Sequence, residues 1–547
     1  MRKDIIKEIL YGYVQQESIS DTDVEKTAET FFVEFFAKQE YFKKNKEYYG
    51  TFPIEGDPHH RAVSWAMVRG EGEACVVLIH HNDVVGVEDF KTLKPYAFSP
   101  DELNKKLFEI KDSLSEETRE DLESGNYLFG RGVCDMKGGG SIQMALLSEY
   151  ANLDTLKGNV IVLGLPDEEN LSAGMRAAVI LLNELKEKYG FEYRLMINSE
   201  PHQRRKKKEE GVFSFGSIGK LMPYVSIRGH LAHVGKVFEG FNPTNLMAEI
   251  VRKTEINMEF SDSVKGEAAP PPTWLYLREN KQSYDVSMPL FMNGCLSVLT
   301  LNQMPGVILE RLYKVCANAF EKIIEEMNLQ YENFLKETNQ QKTYLPWKVK
   351  VVYFGELCQE AEKNYGNQFI QDYHNFLEQL YKEIHDGKES LITANFKLVE
   401  FVYNYIDDLS PRVVIGLVPP YYPNVANLFY ENLDDKVLHL YDKLLDFTRE
   451  KYHQTYIEEF FYTGISDLSY SCIYDKEKVE DSLQKAMPFW GKIYSLPLKE
   501  LQNISMPCVN IGPWGKDFHK LTERVYKEDL FERTPEILDY TIKFMLE

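Results

Sequence analysis

Between Ala74 and Glu200 the spacing of apolar residues switches repeatedly between two periods. "ACVVLIHHNDVV" opens with an unbroken β-branched run, which predicts a buried strand ending in a loop. "GGGSIQMALLSEYANL" has helical spacing after a glycine turn. "NVIVLGLPDEE" reads as a strand, "AGMRAAVILLNELKEKYG" as a helix and "EYRLMINSEP" as another strand. Strands alternating with helices predict an α/β fold, a mixed but mostly parallel sheet flanked by helices. At the start, "MRKDIIKEILYGYVQQ" places apolar residues at helical spacing broken by charges, so it predicts an amphipathic helix and not a signal peptide.

The pattern changes after Glu200. "LMPYVSIRGHLAHVG" predicts a strand. "NPTNLMAEIVRKTEIN" predicts a helix capped by Asn242, with Pro243 in its first turn. "GEAAPPPTWLYLRENKQSYDVSMP" is proline-rich and reads as irregular, and "PGVILERLYKVCANAFEKIIEEMNLQYENFLKE" as one long helix. This block predicts an inserted α+β domain over 217–410, between the two parts of an α/β domain at 1–216 and 411–547. The second part begins with "RVVIGLVPPYYP" and continues through "KVLHLYDKLLDFTREKY", "IEEFFYTGISDLSY" and "MPCVNIGPWGKDFHKLTERVY". The basic run from Arg204 to Lys208 predicts a solvated loop.

Composition narrows the function class. The 547 residues carry a net charge of −22, which argues against nucleic acid and anionic membrane as partners. The seven cysteines are scattered without a C-x-x-C pair, so neither a disulfide framework nor a thiolate metal site is expected, and a reducing cytoplasm is. No apolar run is long enough to span a membrane.

Ligands of α/β sheets collect at the carboxyl ends of the strands. There the chain places His81 and Asp83, then Asp167, Glu168 and Glu169, then Glu200. Three consecutive carboxylates after a buried strand repel one another and call for a cation or for water. Asp135 sits in "LFGRGVCDMKGGG", ahead of a helix, and His519 in "IGPWGKDFHKLTE". Taken singly, Asp135 and Glu200 read as readily as a helix cap or a surface acid, and Asp83 as a turn residue; the set is what points to chemistry. Imidazole and carboxylate donors without thiolates suit zinc, cobalt or manganese, and three one-sided carboxylates with two histidines are enough for two ions.

The stretches "HHNDVV", "LFGRGVCDMKGG", "PDEEN", "NSEP" and "GPWGKDFHKLTE", in that order, resemble the metal-site motifs of the co-catalytic zinc amidohydrolases and peptidases, the family of aminoacylase, acetylornithine deacetylase, succinyl-diaminopimelate desuccinylase and glutamate carboxypeptidase. The length, with "PPPTWLYLRENKQSYDV" and "VPPYYPN", looks most like the arginine-utilisation branch. The resemblance implies a zinc-peptidase-like catalytic domain with an inserted lid or dimerisation domain, longer here than usual. It implies that His81 and Glu200 bind one Zn2+, that Glu169 and His519 bind the other, and that Asp135 bridges them ahead of a cis peptide bond to Met136. Asp83 would orient His81, Glu168 would be the general base, and His233 in "RGHLAHVG" would meet the reacting carbonyl. Gly464, Ser466 and Asp467 match the loop at the substrate's carboxylate end. Arg278 and Arg412 are candidates for gripping that carboxylate, and each also reads as a surface or structural arginine. Asp167 would support its loop, or simply make the turn.

The implied activity is hydrolysis of an amide bond in a small N-acyl amino acid or short peptide, within amino acid and specifically arginine degradation, by a chain able to form a homodimer through its lid. Two alternatives stay open: a dipeptidase or aminopeptidase of the same family, and a non-catalytic regulatory homologue.

Overall fold

The strand Glu71–His81 is buried from Cys75 onward, and Lys157–Leu165 is buried from Gly158 onward. Apolar on both faces, such strands belong in the middle of a sheet. They pair in parallel, with His81 opposite Leu165. The computed structural model describes residues 2–205, 210–281, 283 and 285–547. They fold as two units: one comprises the chain up to Ile218 with Val425–Tyr474 and Pro497–Glu547, the other Gly219–Asn424 and Asp475–Leu496.

The first unit is built on an eight-stranded sheet. Its order is Tyr49–Pro53, Ala62–Arg69, Lys157–Leu165, Glu71–His81, Glu192–Asn198, Cys508–Asn510, Gly211–Ser214 and Tyr456–Glu459. The central strands run parallel, and Tyr49–Pro53 and Ala62–Arg69 are antiparallel at one edge. The sheet is therefore mixed, as expected, and helices flank it. Ile6 and Leu10 of the helix Arg2–Val14, Ile142 of Lys137–Tyr150 and Leu538 of Thr534–Leu546 share one core with Val76, Leu78, Val160 and Val162. Each such side chain contributes roughly 1.5–3 kcal/mol by leaving water.

Two glycine roles bear on the site. Gly132 has φ +76, a left-handed conformation that turns the chain before Asp135. Gly140, by contrast, is helical; a Cβ there would lie 2.4 Å from the His80 ring, so its absence lets Lys137–Tyr150 close on the strand ends.

The second unit holds a sheet in the order Thr273–Glu279, Phe291–Thr300, Pro223–Arg228, Arg412–Leu417 and Val351–Tyr353, with Gly219–Leu221 also paired to Phe291–Thr300. Only Val351–Tyr353 runs parallel to its neighbour among these pairs. Helices Phe354–Tyr365, Asn367–His385 and Leu391–Val402 bury Leu357, Leu380 and Val399 against Tyr224, Cys295 and Val414 of the sheet. The helix Pro243–Thr254 starts as expected, with the Asn242 side chain accepting from the Thr244 N–H at 3.0 Å.

Three expectations need correction. The chain leaves the second unit after Asn424 and not after 410, because Arg412–Leu417 lies between Pro223–Arg228 and Val351–Tyr353; residues 475–496 belong there too. The proline-rich stretch contains the strand Thr273–Glu279, whose Trp274 and Tyr276 are half-buried while Leu275 and Leu277 are exposed. Arg204 is not solvated: it lies 4.1 Å from the Trp514 ring centroid and pairs with Asp529 at 3.0 Å. Residues 206–208 of that basic run lie outside the described residues. Among the described residues no helix is long and apolar enough to cross a membrane.

Candidate metal centre

Parallel pairing sets three strand ends side by side in the first unit. His81 ends one strand, Glu168 and Glu169 follow Lys157–Leu165, and Glu200 follows Glu192–Asn198. Asp135 precedes the helix Lys137–Tyr150. His519 lies in the turn between Gly515–Lys516 and Arg524–Tyr526, and the latter strand pairs with Tyr127–Phe129, beside the Asp135 segment.

Asp135 stands between the two histidines. Its Oδ1 is 3.0 Å from His81 Nε2 and its Oδ2 is 3.0 Å from His519 Nε2. Glu200 Oε1 lies 3.6 Å from His81 Nε2, and Glu169 Oε1 lies 3.0 Å from His519 Nε2. Two sets of donor atoms, from His81, Asp135 and Glu169 and from His81, Glu168 and Glu200, each fall within 4.8 Å of one another. A cis peptide bond joins Asp135 to Met136.

Asp83 meets His81 through its main chain. His81 Nδ1 donates to the main-chain carbonyl of Asp83 at 3.0 Å, while the carboxylate stands off at 3.5 Å. A carbonyl can only accept, so Nδ1 carries a proton and Nε2 faces the acids. The Asp83 carboxylate instead accepts the main-chain N–H groups of Glu168 and Glu169, both at 3.2 Å, and the Ser20 hydroxyl at 2.6 Å. It holds the acidic loop as much as the histidine.

Sequence reasoning left Ser20 and Glu523 without roles. Glu523 ends the quoted "HKLTE". Its carboxylate accepts the N–H groups of Cys134 at 3.2 Å and Asp135 at 3.3 Å and pairs with Arg131 at 2.7 Å. The signal was one charged residue of opposite sign in each of two motifs already linked by their candidate ligands, Arg131 and Glu523.

The electrostatics are those of a cation site. Burial pushes the Glu168 carboxyl well above its ordinary range; His81 opposes this, and Glu200, Asp467 and Glu169 add to it. Burial likewise raises Glu169 and Glu200. Hydrogen bonds to Asp135 and Glu169 raise His519 to about 10. Burial opposes protonation of His81, yet Glu200, Asp135, Asp83 and Glu168 together raise its pKa well above the usual value. Buried acids that disfavour their own charge and imidazoles that favour theirs mark a strongly negative field, one that would stabilise a divalent cation. Imidazole nitrogens and carboxylate oxygens at these separations fit divalent zinc, cobalt or manganese, and two ions sharing Asp135.

The other candidates fall in two places. In the first unit, Asp467 is buried, and burial raises its carboxyl to about 7. Ser466 caps the short turn it begins, accepting from the Leu468 N–H at 3.3 Å. Gly464 packs against the Tyr462 ring. In the second unit, His233 sits on an exposed turn, its Nδ1 accepting from the Gly235 N–H at 3.0 Å. Arg278 is exposed on Thr273–Glu279, at a cavity of about 320 Å³ shared with Asn293 and Glu400. Arg412 is not available to a ligand: it is fully buried and engages both oxygens of Glu360, at 2.8 and 3.0 Å.

The model of peptidase family M20/M25/M40 matches residues 111–538. Protein RocB of Bacillus subtilis (strain 168) is 29% identical over 551 residues, covering 99% of this chain and 95% of that protein. Uncharacterized protein YqjN of the same organism is 31% identical over 550 residues, covering 100% and 97%. Among solved structures, aminopeptidase PepT from Bacillus cereus ATCC 10987 superposes with a TM-score of 0.51 at 12% identity, covering 100% of this chain and 99% of that one, a likeness of fold.

Proposed function

Because the chain belongs to peptidase family M20/M25/M40, a family of metal-dependent hydrolases, we propose that it hydrolyses the amide bond of a small N-acyl amino acid or short peptide, in arginine degradation. The observation that carries the reading is Asp135 set between His81 and His519, with Glu200 and Glu169 on the outer sides. His81 and Glu200 would hold one ion, His519 and Glu169 the other, and Asp135 both. Two divalent cations, zinc with cobalt or manganese as alternatives, would supply Lewis acidity to the carbonyl oxygen and make a water more acidic.

Glu168 is the general base. Its carboxylate takes the proton from the water as the oxygen attacks the carbonyl carbon, and returns it to the amine nitrogen as the C–N bond breaks. His233, assigned from its motif, would donate to the carbonyl oxygen as negative charge develops there. The substrate class is supported by the motif resemblance to the arginine-utilisation branch and by the full-length similarity to RocB.

Metal content and turnover measured on the same samples test this. Glu168→Gln is expected to keep two metal equivalents and lose about 10²–10⁴-fold in kcat. Glu169→Ala is expected to lose metal. A Glu168→Gln enzyme with near wild-type kcat would remove Glu168 as the base.

A further inference from the structure

The loop that carries Glu168 and Glu169 does not favour its own shape. Asp167 has φ +70, a left-handed conformation that few residues other than glycine, asparagine and aspartate adopt. Two adjacent carboxylates follow it, and burial disfavours the charge on both. Something outside the loop has to hold it.

That hold comes from Arg61 and Glu25, 106 and 142 residues away in sequence. Arg61 Nη1 donates to Asp167 Oδ1 at 2.7 Å and to Glu25 Oε2 at 2.8 Å, and Nη2 donates to Asp57 Oδ1 at 2.6 Å. Glu25 Oε1 accepts the main-chain N–H of Asp167 at 2.7 Å. Asp167 is therefore gripped by its backbone and by its side chain at once. Its Oδ2 also accepts from the Ala173 N–H at 3.0 Å, which ties the loop to the helix that follows. The next two N–H groups, of Glu168 and Glu169, go to Asp83. All four charged side chains of the clamp are at least 96% buried.

One guanidinium among three buried carboxylates is a poor device for stability alone, since a well-packed apolar cluster of the same volume often does as well or better. What it does supply is direction: a planar fork meets several acceptors at fixed angles, as a lysine cannot. We propose that Arg61 and Glu25 are positioning residues for hydrolysis, holding Asp167 so that Glu168 and Glu169 stay aimed into the metal site despite their mutual repulsion. The proposal rests on Glu168 as base and Glu169 as metal ligand. Neither Arg61 nor Glu25 touches the reacting atoms.

The test measures metal affinity, kcat and KM in full-length Glu25→Ala, Glu25→Gln and Arg61→Lys, with circular dichroism to establish folding at the assay temperature. Folded Glu25→Ala and Arg61→Lys are expected to lose about 10–100-fold in kcat and in affinity for added Zn2+, with KM little changed, as seen when groups behind a metal ligand are removed. Glu25→Gln keeps an acceptor for the Asp167 N–H and is expected to recover part of that loss. If Glu25→Ala does not fold, Arg61→Lys carries the same expectation. Folded variants with a lowered melting temperature but wild-type kcat and Zn2+ affinity would reduce the clamp to a structural role and overturn the proposal. A wild-type enzyme that neither binds Zn2+ nor hydrolyses amides would instead overturn the functional reading beneath it.

Discussion

The adjacent histidines of "HHNDVV" divide their work by the alternation of a strand. His81 faces the acids. His80 faces the core, with Nδ1 2.9 Å from Gln143 Oε1 and Nε2 3.1 Å from the Tyr13 hydroxyl. The Gln143 amide nitrogen donates to the Ile79 carbonyl and the Ser199 hydroxyl, so its oxygen must be the atom meeting His80. His80 is thus neutral with the proton on Nδ1, and burial lowers its pKa to about 4. Below its unfolded value of 6.5 the unfolded chain binds the proton and the folded one does not, so the stability His80 provides is present above pH 6.5 and lost as pH falls through 4. Metal-free protein should lose up to about 3 kcal/mol from this source over that range, and His80→Gln should flatten the slope in denaturant titrations. An unchanged slope would mean that His80 is charged in the fold. Such roles follow from partners far along the chain, which is why the strand-end candidates were legible as a set while Gln143, Ser20, Glu25 and Arg61 were not. Local pattern can mark His81 as a strand end, but it cannot pair Arg61 with Asp167.

At the scale of elements, the central strands and their helices were legible because burial on both faces leaves unbroken apolar runs. Thr273–Glu279 was not, because prolines precede it and only alternate residues are half-buried. Arg412–Leu417 was legible as a strand but not as a member of the second unit, since its run "RVVIGL" suits any buried position. The closeness of Lys137–Tyr150 to the strand ends gives a test at this scale. Gly140→Ala puts a Cβ 2.4 Å from a ring already fixed by Tyr13 and Gln143. Overpacking of this kind costs about 1–3 kcal/mol, readable as a lower midpoint of urea unfolding. A midpoint equal to wild type would show that helix and strand can part without cost.

For the whole molecule, the candidate ligands all lie in the first unit, and so should the stabilisation that metal brings. Ligand at 100 times its Kd adds about 2.7 kcal/mol to the state that binds it. Chelation should lower the melting temperature and speed hydrogen exchange in Glu71–His81 more than in Phe291–Thr300. Equal changes in both strands would mean that the metal acts on the molecule as a whole. The net charge of −22 is compatible with a cationic substrate.

The most direct measurement is amide hydrolysis by zinc- or cobalt-loaded protein over N-acyl amino acids and dipeptides, weighted toward arginine, ornithine and citrulline. The account predicts turnover that chelator abolishes and added metal restores. Turnover that survives verified removal of the metal, or none from protein shown to hold two ions, would contradict it.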